Sequence, residues 1–170
     1  MKGENLRKKL NGLEKDELVF LLLDVADLRK ENLEWLLLKL DGASGEEEAI
    51  TYFKGKIRAC IFNDATPNLK EARKLISNFK KISKDEKHVI ELMIFYVETG
   101  TRLGEKYGDL YEAFYTSMEN MFYEIIGLLN EPRNTSLKGQ VEPRLNWIVE
   151  HAAEGWGHKD TLEEYIDELQ

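Results

Sequence analysis

The sequence predicts an all-α protein, and three observations carry that reading. Residues 88–130 read as two long helices joined at Gly108 and Asp109, and the first is apolar almost all the way round. Such a helix belongs at the centre of a bundle. Helix-start patterns recur, with a Ser or Asp followed three residues later by Glu: Ser44 and Glu47, Ser83 and Glu86, Asp109 and Glu112, Asp160 and Glu163. Strand signals are nearly absent, with no useful alternation and no Asn-Gly or Asp-Gly between β-branched runs. The expected architecture is a single domain, 1–170, of about seven to eight helices in antiparallel pairs. Uneven helix lengths favour an irregular bundle or short α-α superhelix over a regular four-helix bundle.

The elements follow in order. Residues 5–10 predict a short helical turn. Residues 14–29 predict a helix whose apolar positions Leu18, Leu21, Leu22, Val25 and Leu28 follow the i, i+3, i+4, i+7 spacing of a core-facing stripe. A shorter helix, 33–40, should end at Gly42, which completes an N-terminal helical pair over 1–42. The central helices span 44–129. Ser44 opens one that runs to about Ile61. Thr66-Pro67 opens the next, with Pro67 at N1 and Leu69, Ala72, Leu75, Ile76 and Phe79 buried. Ser83 opens the central helix, which continues through Gly100 and Gly104 to Tyr107. A glycine inside a helix costs about 1 kcal/mol relative to alanine, so this pair implies close approach of a neighbouring helix. Asp109 opens a helix to about Leu129, with Leu110, Phe114, Met118, Met121, Ile125 and Leu128 as its seam. Residues 130–142 are rich in turn formers and predict a loop. The C-terminal helices occupy 143–170, with Pro143 in a first turn, a break at Gly155-Trp156-Gly157 and a last helix capped by Asp160.

Composition narrows the function classes. Hydrophobic residues make up 42% and charged residues 33% of 170, the balance of a globular chain that buries an ordinary core. A net charge of −8 disfavours nucleic acid as a partner. The single Cys60 excludes an intramolecular disulfide and fits a reducing compartment. The N-terminus lacks the apolar core of a signal peptide. The greasiest run, 18–28, is interrupted by Asp24 and Asp27 and is too short to span a bilayer. The expected location is cytoplasmic, with no membrane association.

No catalytic, metal or nucleotide motif stands out, so no catalytic residue, metal ligand or cofactor is assigned. On the central helix Glu91, Glu98, Arg102 and Glu105 form a polar stripe, read as an exposed edge in which Glu98 and Arg102 pair at i, i+4. Glu112 and Glu119 border the next seam beside Tyr115 and Tyr123, an arrangement better explained by capping and edge placement than by acid–base work. His88 with Glu91, and His151 with Glu154, reverse the Glu-x-x-His order of di-iron bundles. Cys60 has no second ligand at a zinc spacing. Trp156, between two glycines, reads as an anchor plugged into the core with its N–H on backbone. Glu98, Arg102, Tyr115, Glu119, Trp156 and His158 are therefore the candidate binding surface.

The strings FYVETG, YGDLYEAFYTSMENMF and GWGHKD, with LEKDELVFLLLDVADL ahead of them, resemble an uncharacterised family of small all-helical prokaryotic proteins. The resemblance covers most of the chain. It implies a helical soluble fold and no assigned activity. The function expected is a non-enzymatic interaction or scaffold domain, binding a peptide or partner helix beside the central hairpin, with self-association as a further possibility. The alternative is a metal-binding or hydrolytic bundle using Glu98, Glu119, His88 and His151, which requires those four side chains to converge.

Overall fold

In the computed structural model the chain is all-α. The structure describes residues 2–29, 32–33, 35–36, 40, 42–62, 66–83, 85–108 and 110–169. Among these, eight α-helices appear: α1 (Lys2–Leu10), α2 (Lys15–Leu28), α3 (Gly42–Ile61), α4 (Leu69–Ile82), α5 (Glu86–Tyr107), α6 (Glu112–Leu129), α7 (Thr135–Glu150) and α8 (His158–Asp167). Of the helix expected over 33–40, residues 34 and 37–39 lie outside the described residues, and residues 33, 35, 36 and 40 are helical. The chain divides into two compact units, Met1–Glu47 and Glu48–Gln170.

The C-terminal unit is built around α5. Val89, Ile90, Leu92, Met93, Ile94, Tyr96, Val97 and Leu103 are all buried, as the apolar circumference requires. Helices α4, α6 and α7 pack against it, and α8 packs against α6 and α7. Helix α6 contributes Phe114, Tyr115, Met118, Met121, Phe122, Ile125, Ile126 and Leu129. Helix α4 buries Ala72, Leu75, Ile76 and Phe79, and Leu69 is half-buried at its start. The Gly100 contact is real: a Cβ there would overlap the Met118 side chain of α6. At Gly104 a Cβ would meet the Tyr115 hydroxyl at 3.9 Å and the Ala153 Cβ at 4.0 Å, ordinary contacts, so close approach explains only the first glycine.

Helix starts differ from the sequence reading. Helix α4 is capped by Asn68, whose side chain accepts the Glu71 N–H, so Pro67 precedes the cap and does not occupy N1. Helix α5 is capped by Asp85, which accepts the Lys87 N–H, while Ser83 ends α4. Helix α3 starts at Gly42, two residues before Ser44. Helix α6 starts at Glu112 behind Tyr111, and Asp109 lies outside the described residues. Helix α8 starts at His158 behind the left-handed Gly157, which puts Asp160 in the first turn, where a carboxylate favours the dipole. Asn68 and Asp85 each satisfy an orphan N–H group of their helix and so displace the expected caps, whereas Tyr111 and Gly157 make no side-chain capping bond.

The largest correction is the expected loop 130–142. It holds a 3₁₀ turn, Pro132–Asn134, and then the first half of α7, which carries Pro143 in its interior. An interior proline costs about 3 kcal/mol. Leu137, Val141, Leu145 and Ile148 form a buried stripe through it, and burying such side chains is worth about 1.5–3 kcal/mol each, so the stripe wins. Buried Asn134 fixes the start of this helix, donating from Nδ2 to Glu86 Oε2 at 2.9 Å and to the Leu128 carbonyl at 2.8 Å.

The N-terminal unit contains α1 and α2. Helix α2 begins at a Glu14–Glu17 capping box, with the Glu14 N–H donating to Glu17 Oε2 at 2.8 Å. The core stripe expected here is contradicted. Leu21, Leu22, Val25 and Leu28 are exposed, Leu18 is half-buried, and Ala26 alone is buried. Val19, Phe20 and Leu23 are exposed too. Five consecutive apolar residues, 19–23, sweep the whole circumference at 100° per residue, so no single core face can take them all.

Candidate interaction surfaces

The six candidate residues separate into two groups. Glu98 and Arg102 lie on α5 facing α7. Tyr115 and Glu119 on α6 meet Trp156 and His158 at the start of α8.

On the α5–α7 side, Glu98 does not pair with Arg102. Arg144 takes it with both arms, Nε to Oε1 at 2.7 Å and Nη2 to Oε2 at 2.8 Å. Arg144 also bonds Glu91, which Lys54 of α3 approaches from the other side. Burial alone would raise the Glu91 carboxyl; the hydrogen bonds from Arg144 and Lys54 overcome it and hold it below the ordinary range. Hydrogen bonding to Glu98 likewise raises the Arg144 guanidinium. The stripe expected to be an exposed edge is thus half interior: Glu91 and Glu98 are half-buried and cross-linked, while Arg102 and Glu105 are exposed. Arg102 instead lies over the Trp147 ring at 4.8 Å, and that indole stacks on His151 at 4.5 Å. Arg144 was missed because Pro143 suggested a helix start there. Its signal was charge, since Arg144 and Lys159 are the only cations in the acidic stretch from residue 142.

A half-open cleft of about 440 Å³ runs beside α5, lined by Arg58, Phe62, Phe95, Glu98, Thr99 and Arg102. Arg58 and Lys54 both sit over the Phe95 ring at 5.4 Å. Its rim is cationic and its carboxylate already belongs to Arg144.

At the other group, His158 Nδ1 lies 2.8 Å from Glu119 Oε1. A carboxylate only accepts, so Nδ1 carries the proton and donates. The imidazole tilts against the Tyr115 ring at 4.7 Å. The Tyr115 hydroxyl accepts the Leu110 N–H at 3.1 Å, and Trp156 Nε1 donates to the Leu110 carbonyl at 3.1 Å. This small network ties the entry to α8 onto both ends of the α6 start. The Trp156 anchor is corrected: its N–H does find backbone, but the indole is 64% exposed and the buried group is His158, at 2%. Trp156 (φ 60) and Gly157 (φ 67) are both left-handed, and two such residues in succession leave the indole outside as the chain turns His158 inward. Desolvation lowers the imidazole pKa against the opposing pull of Glu119. A histidine oriented by a carboxylate is half of a nucleophile-activating arrangement. Here the ring is packed between α6 and α8 with no open face for a substrate.

The four residues of the metal or hydrolytic alternative do not converge. Glu98 is held by Arg144, Glu119 by His158, and His151 by its stack on Trp147 and a 2.8 Å contact from Nδ1 to the Trp147 carbonyl. His88 sits in the first turn of α5. Among the described residues no group of three His, Cys, Asp or Glu side chains is placed to hold a metal ion.

A further surface feature among the described residues is α2. Seven large apolar side chains between Val19 and Leu28 are exposed, from 39% for Val25 to 75% for Leu28, and Leu6 of α1 is exposed as well. No helix among the described residues is long and apolar enough to cross a membrane. Comparison with known protein families, curated proteins and solved structures finds no match for this chain.

Proposed function

We propose that this protein is a non-enzymatic interaction module whose docking element is α2, and that its partner is an apolar helical face of another polypeptide chain. The observation that carries the reading is the exposure of Val19, Phe20, Leu21, Leu22, Leu23, Val25 and Leu28 on one short helix. Each such side chain gains about 1.5–3 kcal/mol on going from full exposure to full burial, and these seven are 39–75% exposed, so covering them would gain an amount comparable with a typical domain's net stability. Apolar surface this concentrated marks a contact site. The polar side chains that could have carried chemistry support the same reading, because Glu91, Glu98, Glu119 and His158 are all engaged in pairs that brace helices.

The test is a photo-crosslinking amino acid placed at Phe20. Irradiation should yield a protein–protein adduct, and Leu22→Glu should abolish it while leaving the helical circular dichroism of the chain intact. Failure to form any protein adduct at Phe20 would remove the reading.

A further inference from the structure

We infer that the cleft beside α5 is a binding site for a small organic anion, a carboxylate or phosphate group carried on a flat apolar body. The site lies wholly within the C-terminal unit and stands apart from α2. Two observations carry it: a pair of arginines whose N–H groups are unspent, and an apolar wall left open beside them.

The arginines come first. Lys54, Arg133 and Arg144 reach α5 from other elements, and each ends on one of its carboxylates, Glu91, Glu86 and Glu98 in turn. Arg58 and Arg102 have no such partner among the described residues. Each lies over a ring instead, Arg58 over Phe95 at 5.4 Å and Arg102 over Trp147 at 4.8 Å. Stacking engages the face of a guanidinium and leaves the N–H groups on its edge, which are the groups that match an oxyanion. The rings also limit where each guanidinium swings, so less side-chain freedom is lost when an anion arrives. The carboxylate in the cleft, Glu98, does not cancel them, because Arg144 holds both of its oxygens. Lys54 and Arg144 balance Glu91 and Glu98, so the charges of Arg58 and Arg102 remain as a local excess in a chain of net charge −8. Like charges lining one cleft focus a positive field there, and an anion relieves their repulsion.

The wall is apolar. Phe95, Glu98, Thr99 and Arg102 follow the i, i+3, i+4, i+7 spacing, so one face of α5 supplies them, while Arg58 of α3 and Phe62 just beyond it supply the other side. Phe62 is exposed and Phe95 half-buried. Thr99 is buried, and its hydroxyl donates to the Phe95 carbonyl at 2.6 Å. The volume of about 440 Å³ falls within the range of roughly 300–1,000 Å³ that small-molecule sites occupy. A bare inorganic anion leaves both phenyl rings wet, whereas a ring attached to the anion covers them.

The full chain, labelled with nitrogen-15, is titrated with phenyl phosphate and, separately, with benzoate. At least one of them should shift the side-chain N–H signals of Arg58 and Arg102 and the backbone amide of Thr99, and should saturate. Arg58→Gln and Arg102→Gln should each weaken that binding about tenfold, the loss of one charge-assisted hydrogen bond, with the circular dichroism unchanged. Inorganic phosphate and benzyl alcohol each lack half of the ligand, and each should bind at least about tenfold more weakly than the better probe. Failure of both probes to shift these signals overturns the inference. So do shifts confined to α2, an affinity unchanged in both arginine variants, or inorganic phosphate binding as tightly as the ring-bearing probe.

Discussion

Gly100 of α5 and Met118 of α6 are in direct opposition: the space a Cβ would take at Gly100 is occupied by the Met118 side chain. Gly104, one turn on, has ordinary clearance. The two glycines therefore respond oppositely to alanine. Gly100→Ala should destabilise by about 1–3 kcal/mol, since overpacking a buried seam outweighs the gain in helix propensity. Gly104→Ala should be neutral or stabilising by up to about 1 kcal/mol. Urea midpoints of the two variants check this, and an equal shift in both would refute it.

Glu98 and Arg144 brace α5 against α7. Glu98→Gln should cost about 1–3 kcal/mol, because it leaves a half-buried guanidinium with weakened partners. Arg144→Lys should cost a similar amount, as an ammonium cannot reproduce the two-armed contact. A double-mutant cycle between the positions should show coupling. Strict additivity would mean that the pair contributes nothing.

His158 sets a pH response. Its folded pKa lies below the ordinary 6.5, chiefly through desolvation. The unfolded chain therefore binds a proton that the folded chain resists, and stability rises with pH across that window. The contribution is complete above the unfolded value near 6.5 and is lost as pH falls through the folded pKa. Glu91, whose pKa is depressed, adds a second loss only at more acidic pH, below the ordinary carboxyl value of 4.5. Urea midpoints taken at mildly acidic and mildly alkaline pH should diverge in the wild type and converge in His158→Gln. Equal divergence in both proteins would place the response elsewhere.

Trp156 sits at φ 60 with its indole outside. Replacing it removes one hydrogen bond, to the Leu110 carbonyl, so Trp156→Ala should cost only about 0.5–2 kcal/mol. Trp156→Gly should cost less than Trp156→Ala, since glycine tolerates left-handed backbone that an L side chain resists. Thermal melts compare the pair, and the reverse order would argue against the strained turn.

Much of the helix content was legible from residue pattern alone. The apolar circumference of 89–103 announced the central helix, and Gly108 announced its end. Helix starts were not legible to the residue, because Asn68, Asp85 and Gly157 competed with equally plausible caps a few positions away. Residues 130–142 looked like a loop because Pro, Asn and Gly are local signals. The stripe Leu137, Val141, Leu145 and Ile148 is a tertiary signal, worth more than the proline costs only once α5 is there to receive it.

The sequence by itself determined the class and the central position of α5. Local periodicity and backbone freedom suffice for these. Only the tertiary structure decided that Arg144, and not Arg102, takes Glu98, that His158 is buried while Trp156 is not, and that the leucines of α2 face solvent. Periodicity reports that a helix has an apolar side; whether the chain's own core covers that side depends on what the rest of the fold brings against it.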